Sequence, residues 1–288
     1  MTAAPAPPVV VKLGGEIMRH AEALDALGAD VAALTAAGQP LVLVHGGGPQ
    51  ADALAARLGH RVRKVAGRRI TDDDALEVAK MVYGGSINLE LLGVLTGHGA
   101  RPVGLSGVDG GLVRVTRRPP VRVAAPEGGV EEEVDFGHVG DVAGSDPALL
   151  HLLLGAGYVP VVASLAADEG GALYNVNADT IATTIARALG APALVLLTNV
   201  PGILRDPANP ATRLPVVDPA QIAALIADGT ISGGMLPKVQ NALDALGGGV
   251  PEVWILDGTA PHSLRDALAG PGAGTRVTAV PAAAGKEA

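Results

Sequence analysis

PLVLVHGGGPQADALAARL, residues 40–58, passes from a short apolar run through three glycines into a segment of helical composition. The run 40–44 is rich in apolar residues and predicts a buried strand, and the segment 49–58 predicts a helix with a proline in its first turn. A strand that leads directly into a helix is the repeating unit of a parallel α/β sheet. This stretch therefore predicts an α/β fold.

The same alternation continues outward in both directions. Further strands are predicted at residues 9–13, 102–105, 159–163, 193–197 and 252–256, and further helices near residues 21–37, 73–96, 148–154, 177–189, 219–228 and 237–246. Apolar strands of this kind are typical of a parallel sheet that is covered by helices on both faces. One region, residues 110–141, breaks the rhythm with charged and Gly/Pro-containing segments and predicts an antiparallel hairpin insert. We place a lobe boundary near Gly190, with residues 1–189 and 190–288 on either side.

Composition excludes several classes of function. The 288 residues contain no cysteine, which rules out disulfides, thiolate metal sites and a cysteine nucleophile. A formal net charge of −8 and 2% aromatic residues argue against a nucleic-acid surface. Gly, Pro or charged residues interrupt every long apolar run, so we expect no membrane span and no membrane partner, and the start of the chain lacks the pattern of a signal peptide. We therefore expect a cytoplasmic protein.

Two glycine-rich turns follow predicted strands. The first strand ends in Lys12, Gly14 and Gly15, where glycines would allow a phosphate to approach the backbone and Lys12 would supply a point charge. A strand-end lysine beside an ordinary tight turn is the alternative. The second strand ends in His45 and three glycines that open a helix, which favours an anion-binding loop over a merely flexible one. We interpret His45 as a packed strand-end residue rather than a catalytic base.

Three further motifs carry charge or amide groups at predicted helix starts. Arg68 and Arg69, in GRRITD, could bind a carboxylate or lie on a solvated turn. YNVNAD, residues 174–179, combines amides with Asp179 and could also be an ordinary capping sequence. Lys238, in GGMLPK, lies near a helix N-terminus, where a positive charge opposes the macrodipole unless an anionic ligand binds there.

In this order, KLGG, HGGGPQ, GRRITD, GLSGVDGGL, GHVGD, YNVNADTIA, LTNVPGIL and GGMLPK make the chain similar to the amino acid kinase family over residues 9–280. The chain lacks the P-loop, protein-kinase, GxSxG and HExxH motifs. The resemblance implies a three-layer αβα sandwich with a mainly parallel central sheet, an N-terminal lobe for an acyl amino acid and dimerisation, and a C-terminal lobe for ATP. It is strongest to the branch that uses MgATP to phosphorylate the side-chain carboxylate of N-acetyl-L-glutamate in arginine biosynthesis.

The resemblance also implies roles for individual residues. Lys12 and Lys238 would stabilise the transferring phosphoryl group and the nucleotide phosphates, and Asp179 would orient both lysines. The acceptor would be bound by Gly47, Gly48, Arg69 and Asn175. The nucleotide would be bound by Gly14, Gly15, Asn199, Gly202 and Gly234. Mg²⁺ would arrive with ATP, so no metal ligand is assigned to the protein.

Two departures from the family pattern leave alternatives open. Asn199 stands where aspartate is usual, as in relatives that act on carrier-protein-linked aminoadipate or glutamate, and Arg68 stands where leucine is common. A non-catalytic amino acid sensor is a further alternative, although Lys12, Asp179 and Lys238 are all present. Since the first strand begins close to the start of the sequence, without the extra helix of hexameric relatives, we expect an arginine-insensitive homodimer.

Overall fold

The structure is a computed structural model that describes residues 6–65, 67–123, 132–270 and 272–279. Within these ranges the strands are β1 (Val9–Leu13), β2 (Leu41–His45), β3 (Lys64–Val65), β4 (Arg68–Arg69), β5 (Pro102–Ser106), β6 (Val113–Arg117), β7 (Val121–Val123), β8 (Glu132–Val134), β9 (Gly140–Ser145), β10 (Val159–Ala163), β11 (Leu165–Ala167), β12 (Leu173–Asn175), β13 (Ala193–Thr198), β14 (Val216–Val217), β15 (Glu252–Asp257) and β16 (Thr275–Thr278). The α-helices are α1 (Ala21–Ala36), α2 (Gly48–Arg57), α3 (Asp73–Ala79), α4 (Asn88–Gly97), α5 (Ala148–Gly155), α6 (Ala178–Ala188), α7 (Pro219–Ala227), α8 (Met235–Gly247) and α9 (Ser263–Ala269). A π-helical segment, Lys80–Ile87, joins α3 to α4 without a break.

A central eight-stranded sheet organises the molecule, in the order β14-β16-β15-β13-β1-β2-β10-β5. Neighbouring strands are parallel except for the antiparallel pair β15 and β16. Alternate residues of β1 enter two separate cores: Val9 and Val11 pack with α1 and α4 on one face, whereas Val10 packs with α6 and α8 on the other. The predicted α/β fold, with helices on both faces of a mainly parallel sheet, is confirmed.

The insert at residues 110–141 contains antiparallel pairs, as predicted. Strand β6 pairs with β9 in a second sheet of order β12-β11-β6-β9, and β7 pairs with β8. Residues 124–131 of the insert lie outside the described ranges. The hairpin prediction is therefore confirmed for the part of the insert that the structure describes.

Residue 190 lies in the turn between α6 and β13. On the β1 side of the β1–β13 pairing, every strand of the central sheet precedes this turn in sequence, and on the β13 side every strand follows it. Hydrogen bonds run without interruption from β1 to β13, so both halves share one sheet. The proposed two lobes thus correspond to two halves of a single sheet, and their separate functions stay a prediction.

The continuous helix 73–97 is the longest in the described part of the chain. Its most apolar window has a mean hydropathy of 1.2, which by length and composition would suffice for a membrane span, but 44% of that window is buried inside the protein. Val78, Ile87, Leu91 and Leu95 of this helix pack into the core beneath the sheet. We interpret it as a core helix with one exposed face.

Candidate active site

The carboxyl ends of adjacent strands β1, β2 and β13 meet at one edge of the sheet, which is where open α/β sheets bind ligands. A cavity of about 240 Å³ opens there. Among its lining residues are seven predicted site residues: Lys12, Gly14, Gly15, Asp179, Asn199, Gly234 and Lys238. These residues come from four distant motifs, so the fold brings them together as expected for a nucleotide site.

Lys12 and Asp179 form an ion pair at the floor of this cavity. The Lys12 Nζ lies 2.9 Å from the Asp179 Oδ1, and the two side chains are 16% and 18% exposed. Asp179 stands in the first turn of α6, where a carboxylate is stabilised by the helix dipole. Asn177 caps that helix, because its Oδ1 accepts the Asp179 N–H at 2.7 Å. The YNVNAD motif thus supplies both a cap and a site carboxylate.

Lys238 faces the same cavity from the first turn of α8. Its Nζ donates to the Gly234 carbonyl oxygen at 3.2 Å. Burial lowers the pKa of Lys238 below its usual value, and the positive charge of Lys12 lowers this pKa further. Asp179 is the counter-charge of Lys12, whereas Lys238 has no carboxylate within ion-pair distance among the described residues, and a positive charge near a helix N-terminus is unfavourable without one. The arrangement is therefore suited to a polyanion.

The two glycine turns touch each other. A Cβ on Gly15 would lie 2.8 Å from the Pro49 Cδ, so a side chain at residue 15 would force the turns apart. Gln50 joins them further, since its Nε2 donates to the Gly15 carbonyl oxygen at 2.9 Å. The loop after β1 and the loop after β2 are consequently held at a fixed separation, as a reaction between two bound ligands requires.

The loop after β2 opens helix α2, with Gly47 at the N-cap and Gly48 as the first helical residue. The first N–H groups of a helix have no partner within the helix. Neither Gly47 nor Gly48 donates its backbone N–H to another group in the described ranges. The positive end of α2 therefore presents free donors beside the cavity.

Arg69, rather than Arg68, lies against this loop. The Arg69 Nη2 donates to the Gly48 carbonyl oxygen at 3.0 Å and lies 2.5 Å from the Asp52 Oδ1. Its side chain is 10% exposed, whereas Arg68 points to solvent. The other Asp52 oxygen accepts from Lys64 at 2.8 Å. Asp52 thus holds Arg69 in place against the loop after β2.

Asn175 is tied to the same region through the fully buried Thr71. The Asn175 Nδ2 donates to the Thr71 Oγ1 at 3.2 Å, and its backbone N–H donates to the His138 carbonyl oxygen at 2.9 Å. Thr71 in turn exchanges backbone hydrogen bonds with Phe136 and His138 of the insert. The turn that carries Arg69, the strand that carries Asn175 and the insert are therefore one connected unit.

Some residues differ from the sequence-based expectations. Gly202 is not among the residues that line the cavity, and a Cβ there would lie 2.6 Å from the Thr275 Oγ1. Sequence reasoning also missed Gln50, Asp52, Thr71 and Asn88. The first two follow the glycines within the same motif and could have been found from it. Asn88 is an amide in an otherwise apolar helical segment, which is a usable signal of a buried polar contact.

Comparison with known proteins identifies the family of this chain. A sequence model described as the amino acid kinase family matches residues 7–257. An acetylglutamate kinase of Anaeromyxobacter dehalogenans is 48% identical over 94% of this chain and 98% of that protein, and one of Halorhodospira halophila is 43% identical over 95% and 90%.

Solved structures show the same fold. An N-acetylglutamate synthase from Neisseria gonorrhoeae, in complex with coenzyme A and L-arginine, is similar with a TM-score of 0.75 at 26% identity, over 95% of this chain and 62% of that one. A carbamate kinase from Giardia shares the fold with a TM-score of 0.68 at 18% identity, over 96% of this chain and 99% of that one. Since the family match covers most of its length and such relatives align along nearly all of it, this chain belongs to the amino acid kinase family.

Proposed function

We propose that this chain transfers the γ-phosphoryl group of MgATP to the side-chain carboxylate of N-acetyl-L-glutamate, giving N-acetyl-L-glutamyl 5-phosphate in arginine biosynthesis. The observation that carries the proposal is the group of Lys12, Asp179 and Lys238 in one cavity, beside a glycine loop with free N–H donors. The names of the most similar relatives support this choice of acceptor.

Charge neutralisation is the main task of such a site. Both reactants are anions, and phosphoryl transfer spreads negative charge over the transferring group. Preorganised cations and N–H groups at that position stabilise the transition state more than the ground state. The acceptor carboxylate is already ionised near neutral pH, so the reaction needs no general base.

On the nucleotide side, we assign Lys12 to the transferring phosphoryl group and Lys238 to the charge that develops on the leaving nucleotide. Asp179 orients Lys12 through their 2.9 Å ion pair. The remaining nucleotide-binding residues are assigned as Gly14, Gly15, Asn199 and Gly234 of the cavity lining, and Gly202, which does not line the cavity, is assigned only as part of the turn that carries Asn199. Most of them come from the half of the sheet formed by residues 190–288, which we assign to ATP.

On the acceptor side, the backbone N–H groups of Gly47 and Gly48 bind the substrate. Arg69 binds a substrate carboxylate through the guanidinium N–H groups that Gly48 and Asp52 leave free. Asn175 binds the substrate through its side-chain oxygen, because its Nδ2 already donates to Thr71. Residues 1–189 therefore form the acceptor lobe.

Magnesium fits this site as a companion of the nucleotide. Mg²⁺ is commonly bound by phosphate oxygens together with one or two carboxylates and water. Glu16 and Asp179 are carboxylates that line the cavity and would lie near such an ion. When bound, the ion would neutralise phosphate charge.

We further propose a cytoplasmic homodimer. The continuous helix 73–97 exposes large apolar side chains, with Met81 at 43% and Leu89 at 66% exposure. A second copy of this chain that packs against this face would remove both from water.

A hydroxylamine-trapping assay for acyl phosphates tests the proposal. The protein is incubated with MgATP and, in separate reactions, N-acetyl-L-glutamate, L-glutamate, carbamate or UMP, and nucleotide consumption is followed in parallel. We expect hydroxamate with N-acetyl-L-glutamate alone. If only a carrier-protein-linked acceptor is turned over, the acceptor is not free N-acetyl-L-glutamate. Asn199, which lines the cavity, is the residue that suggests this alternative. ATP binding without turnover of any acceptor would favour a sensor.

A further inference from the structure

The side chain of His45 is fully buried at the end of β2, directly before the three glycines. Its Nδ1 lies 2.9 Å from the Gly46 carbonyl oxygen, and its Nε2 lies 3.0 Å from the Asn88 Nδ2. The proposed reaction uses no imidazole. A buried histidine that contacts the acceptor loop therefore calls for a separate explanation.

The hydrogen atoms of this cluster are determined by a neighbouring backbone carbonyl. The Asn88 Nδ2 also lies 3.0 Å from the carbonyl oxygen of Val161 on β10. A carbonyl oxygen only accepts, so Asn88 must direct its NH₂ group toward Val161. The same NH₂ group also lies 3.5 Å from the Leu105 carbonyl oxygen. Because an NH₂ group cannot accept a hydrogen bond, the His45 Nε2 beside it must be an unprotonated acceptor. His45 then carries its proton on Nδ1 and donates it to Gly46.

The direction of one peptide group follows from this donation. In a planar trans peptide, the C=O and the following N–H point in opposite directions. Because the Gly46 C=O is held toward the buried imidazole, the Gly47 N–H is directed away from the core. Glycines have no Cβ to restrict a flip of this peptide, so its orientation depends on such a hydrogen bond.

The π-helical segment explains why Asn88 reaches this position. π-Helical turns are rare and occur mainly at functional sites. Here the segment Lys80–Ile87 ends one residue before Asn88 and brings Tyr83 and Ile87 against the loop. A Cβ on Gly47 would lie 2.2 Å from the Ile87 Cδ1 and 2.9 Å from the Tyr83 Cδ1. The long helix therefore supports the acceptor loop from behind.

We infer that His45 and Asn88 are positioning residues that hold the Gly46–Gly47 peptide in the orientation in which its N–H faces the acceptor carboxylate. The inference rests on the proposed function, because it takes this loop as the acceptor-binding loop. Burial lowers the pKa of His45 to about 4, so the imidazole stays neutral near pH 7, as this hydrogen-bond pattern requires. A hydrogen bond to the Gly46 oxygen also polarises the peptide and strengthens the Gly47 N–H as a donor.

Kinetics of three variants separate positioning from plain stabilisation. His45→Phe keeps the ring but no hydrogen bond, His45→Asn keeps an N–H near the Nδ1 position, and Leu225→Ala creates a cavity in the core between the sheet and α7. We expect His45→Phe to lower kcat/KM for the acceptor at least about tenfold, with the KM for ATP changed less than about twofold. His45→Asn should recover part of the loss. Leu225→Ala should lower the melting temperature without changing either constant.

The inference is overturned if His45→Phe, compared at the same fraction folded, behaves kinetically like Leu225→Ala. It is equally overturned if His45→Asn is no better than His45→Phe. In both comparisons the rate constants of a variant are divided by those of the wild-type protein on the same acceptor. The result therefore does not depend on which small acceptor gives the highest rate.

A second measurement needs neither turnover nor a stable His45 variant. The ¹⁵N NMR spectrum of the wild-type imidazoles should show one neutral histidine with its proton on Nδ1. Asn88→Asp places a carboxylate acceptor against Nε2, so Nε2 should be protonated in the spectrum of that variant. A wild-type proton on Nε2, or a charged His45 at neutral pH, overturns the inference. If the wild-type protein is inactive but shows the expected Nδ1 tautomer, the proposed function is rejected. The hydrogen bonds from Asn88 to His45 and from His45 to Gly46 are then still supported.

Discussion

At the scale of single residues, the two lysines of the cavity differ in their partners. Lys12 is paired with Asp179, but among the residues that the structure describes Lys238 has only a carbonyl oxygen as its partner, and it lies near the positive charge of Lys12. An anion between the two lysines would relieve this repulsion. The attraction between the lysines and a bound ligand therefore becomes stronger as that ligand gains negative charge during the reaction.

Lys238→Ala should accordingly lower kcat by about 10² to 10³, because the contact strengthens as charge develops on the nucleotide. The KM for the acceptor should change much less. Steady-state kinetics in the hydroxamate assay measure both constants. Lys80→Ala, which removes a partly exposed lysine paired with Glu77, serves as the control and should leave kcat unchanged. A variant that raises KM and keeps kcat would contradict the assigned role.

The adjacent arginines offer a matched pair. Arg69→Ala should raise the KM for the acceptor by about tenfold or more, since it removes a charge-assisted contact to a carboxylate. Arg68→Ala should have little effect, because its side chain points to solvent. Isothermal titration with acceptor separates binding from turnover. If the two variants show the opposite order, Arg68 is the carboxylate ligand.

The neutral state of His45 predicts a pH-dependent stability. Burial lowers its pKa from 6.5 to about 4, so the unfolded chain binds a proton in this interval that the folded protein excludes. The resulting stability is fully present above the unfolded pKa and is lost as the pH falls through the folded one. Between neutral pH and about pH 4.5, the free energy of unfolding should fall by about 2 kcal/mol more in the wild type than in His45→Phe. Urea denaturation at both pH values measures this, and equal losses would disprove it.

At the scale of elements, the important feature is contact between a glycine loop and the π-helical part of a long helix. Gly47 lies where Tyr83 and Ile87 leave no room for a side chain, whereas a Cβ on Gly48 would meet no atom within 4 Å. Packing thus excludes a side chain at Gly47. At Gly48 there is room for a side chain, and the glycine leaves open space beside the site.

Gly47→Ala and Gly48→Ala test this difference directly. Gly47→Ala should lower the free energy of unfolding by about 1–3 kcal/mol and reduce activity, because Ile87 or Tyr83 must move. Gly48→Ala should keep the melting temperature of the wild type. Thermal denaturation followed by circular dichroism measures the effect. Equal destabilisation of the two variants would mean that contact with the π-helical segment does not determine the loop.

At the scale of the whole molecule, one sheet carries both halves of the proposed site. Strand β1 pairs with β2 on one side and with β13 on the other, which places the acceptor loop after β2 beside the nucleotide cavity. The same architecture leaves one face of the continuous helix 73–97 and one face of α5 in solvent, with Leu152 of α5 at 70% exposure. Exposed apolar faces of this kind are typical of subunit contacts.

Light scattering during gel filtration should give twice the 28.6 kDa mass of one chain. The double variant Met81→Glu and Leu89→Glu should shift the protein toward the monomer, because buried charges at a subunit contact are unfavourable. Leu152→Glu is the matched variant on α5 and should stay dimeric. Dissociation by Leu152→Glu alone would move the interface to α5, and a hexamer would contradict the proposed assembly.

Much of the fold could be predicted because strongly apolar, evenly spaced segments form elements without help from distant residues. Strands β1 and β10 match their predicted bounds, and helix α8 begins two residues earlier than predicted. The prediction missed β14, which is two residues long, and α9, in which Ser263, Leu264 and Ala267 are buried. Such short elements exist because neighbouring parts of the fold cover them, and their local pattern is too weak to indicate them.

The sequence by itself determined the α/β class, the glycine turns and the candidate charged residues Lys12, Asp179 and Lys238, because these follow from local pattern and from motif order. Only the tertiary structure decided that Arg69 rather than Arg68 lies at the acceptor loop, that Gln50 joins the two glycine turns, and that Asn88 reaches His45. Each of the latter facts is a contact between residues far apart in the chain. The distance between two such residues depends on how helices and strands pack, and a sequence motif does not specify this distance.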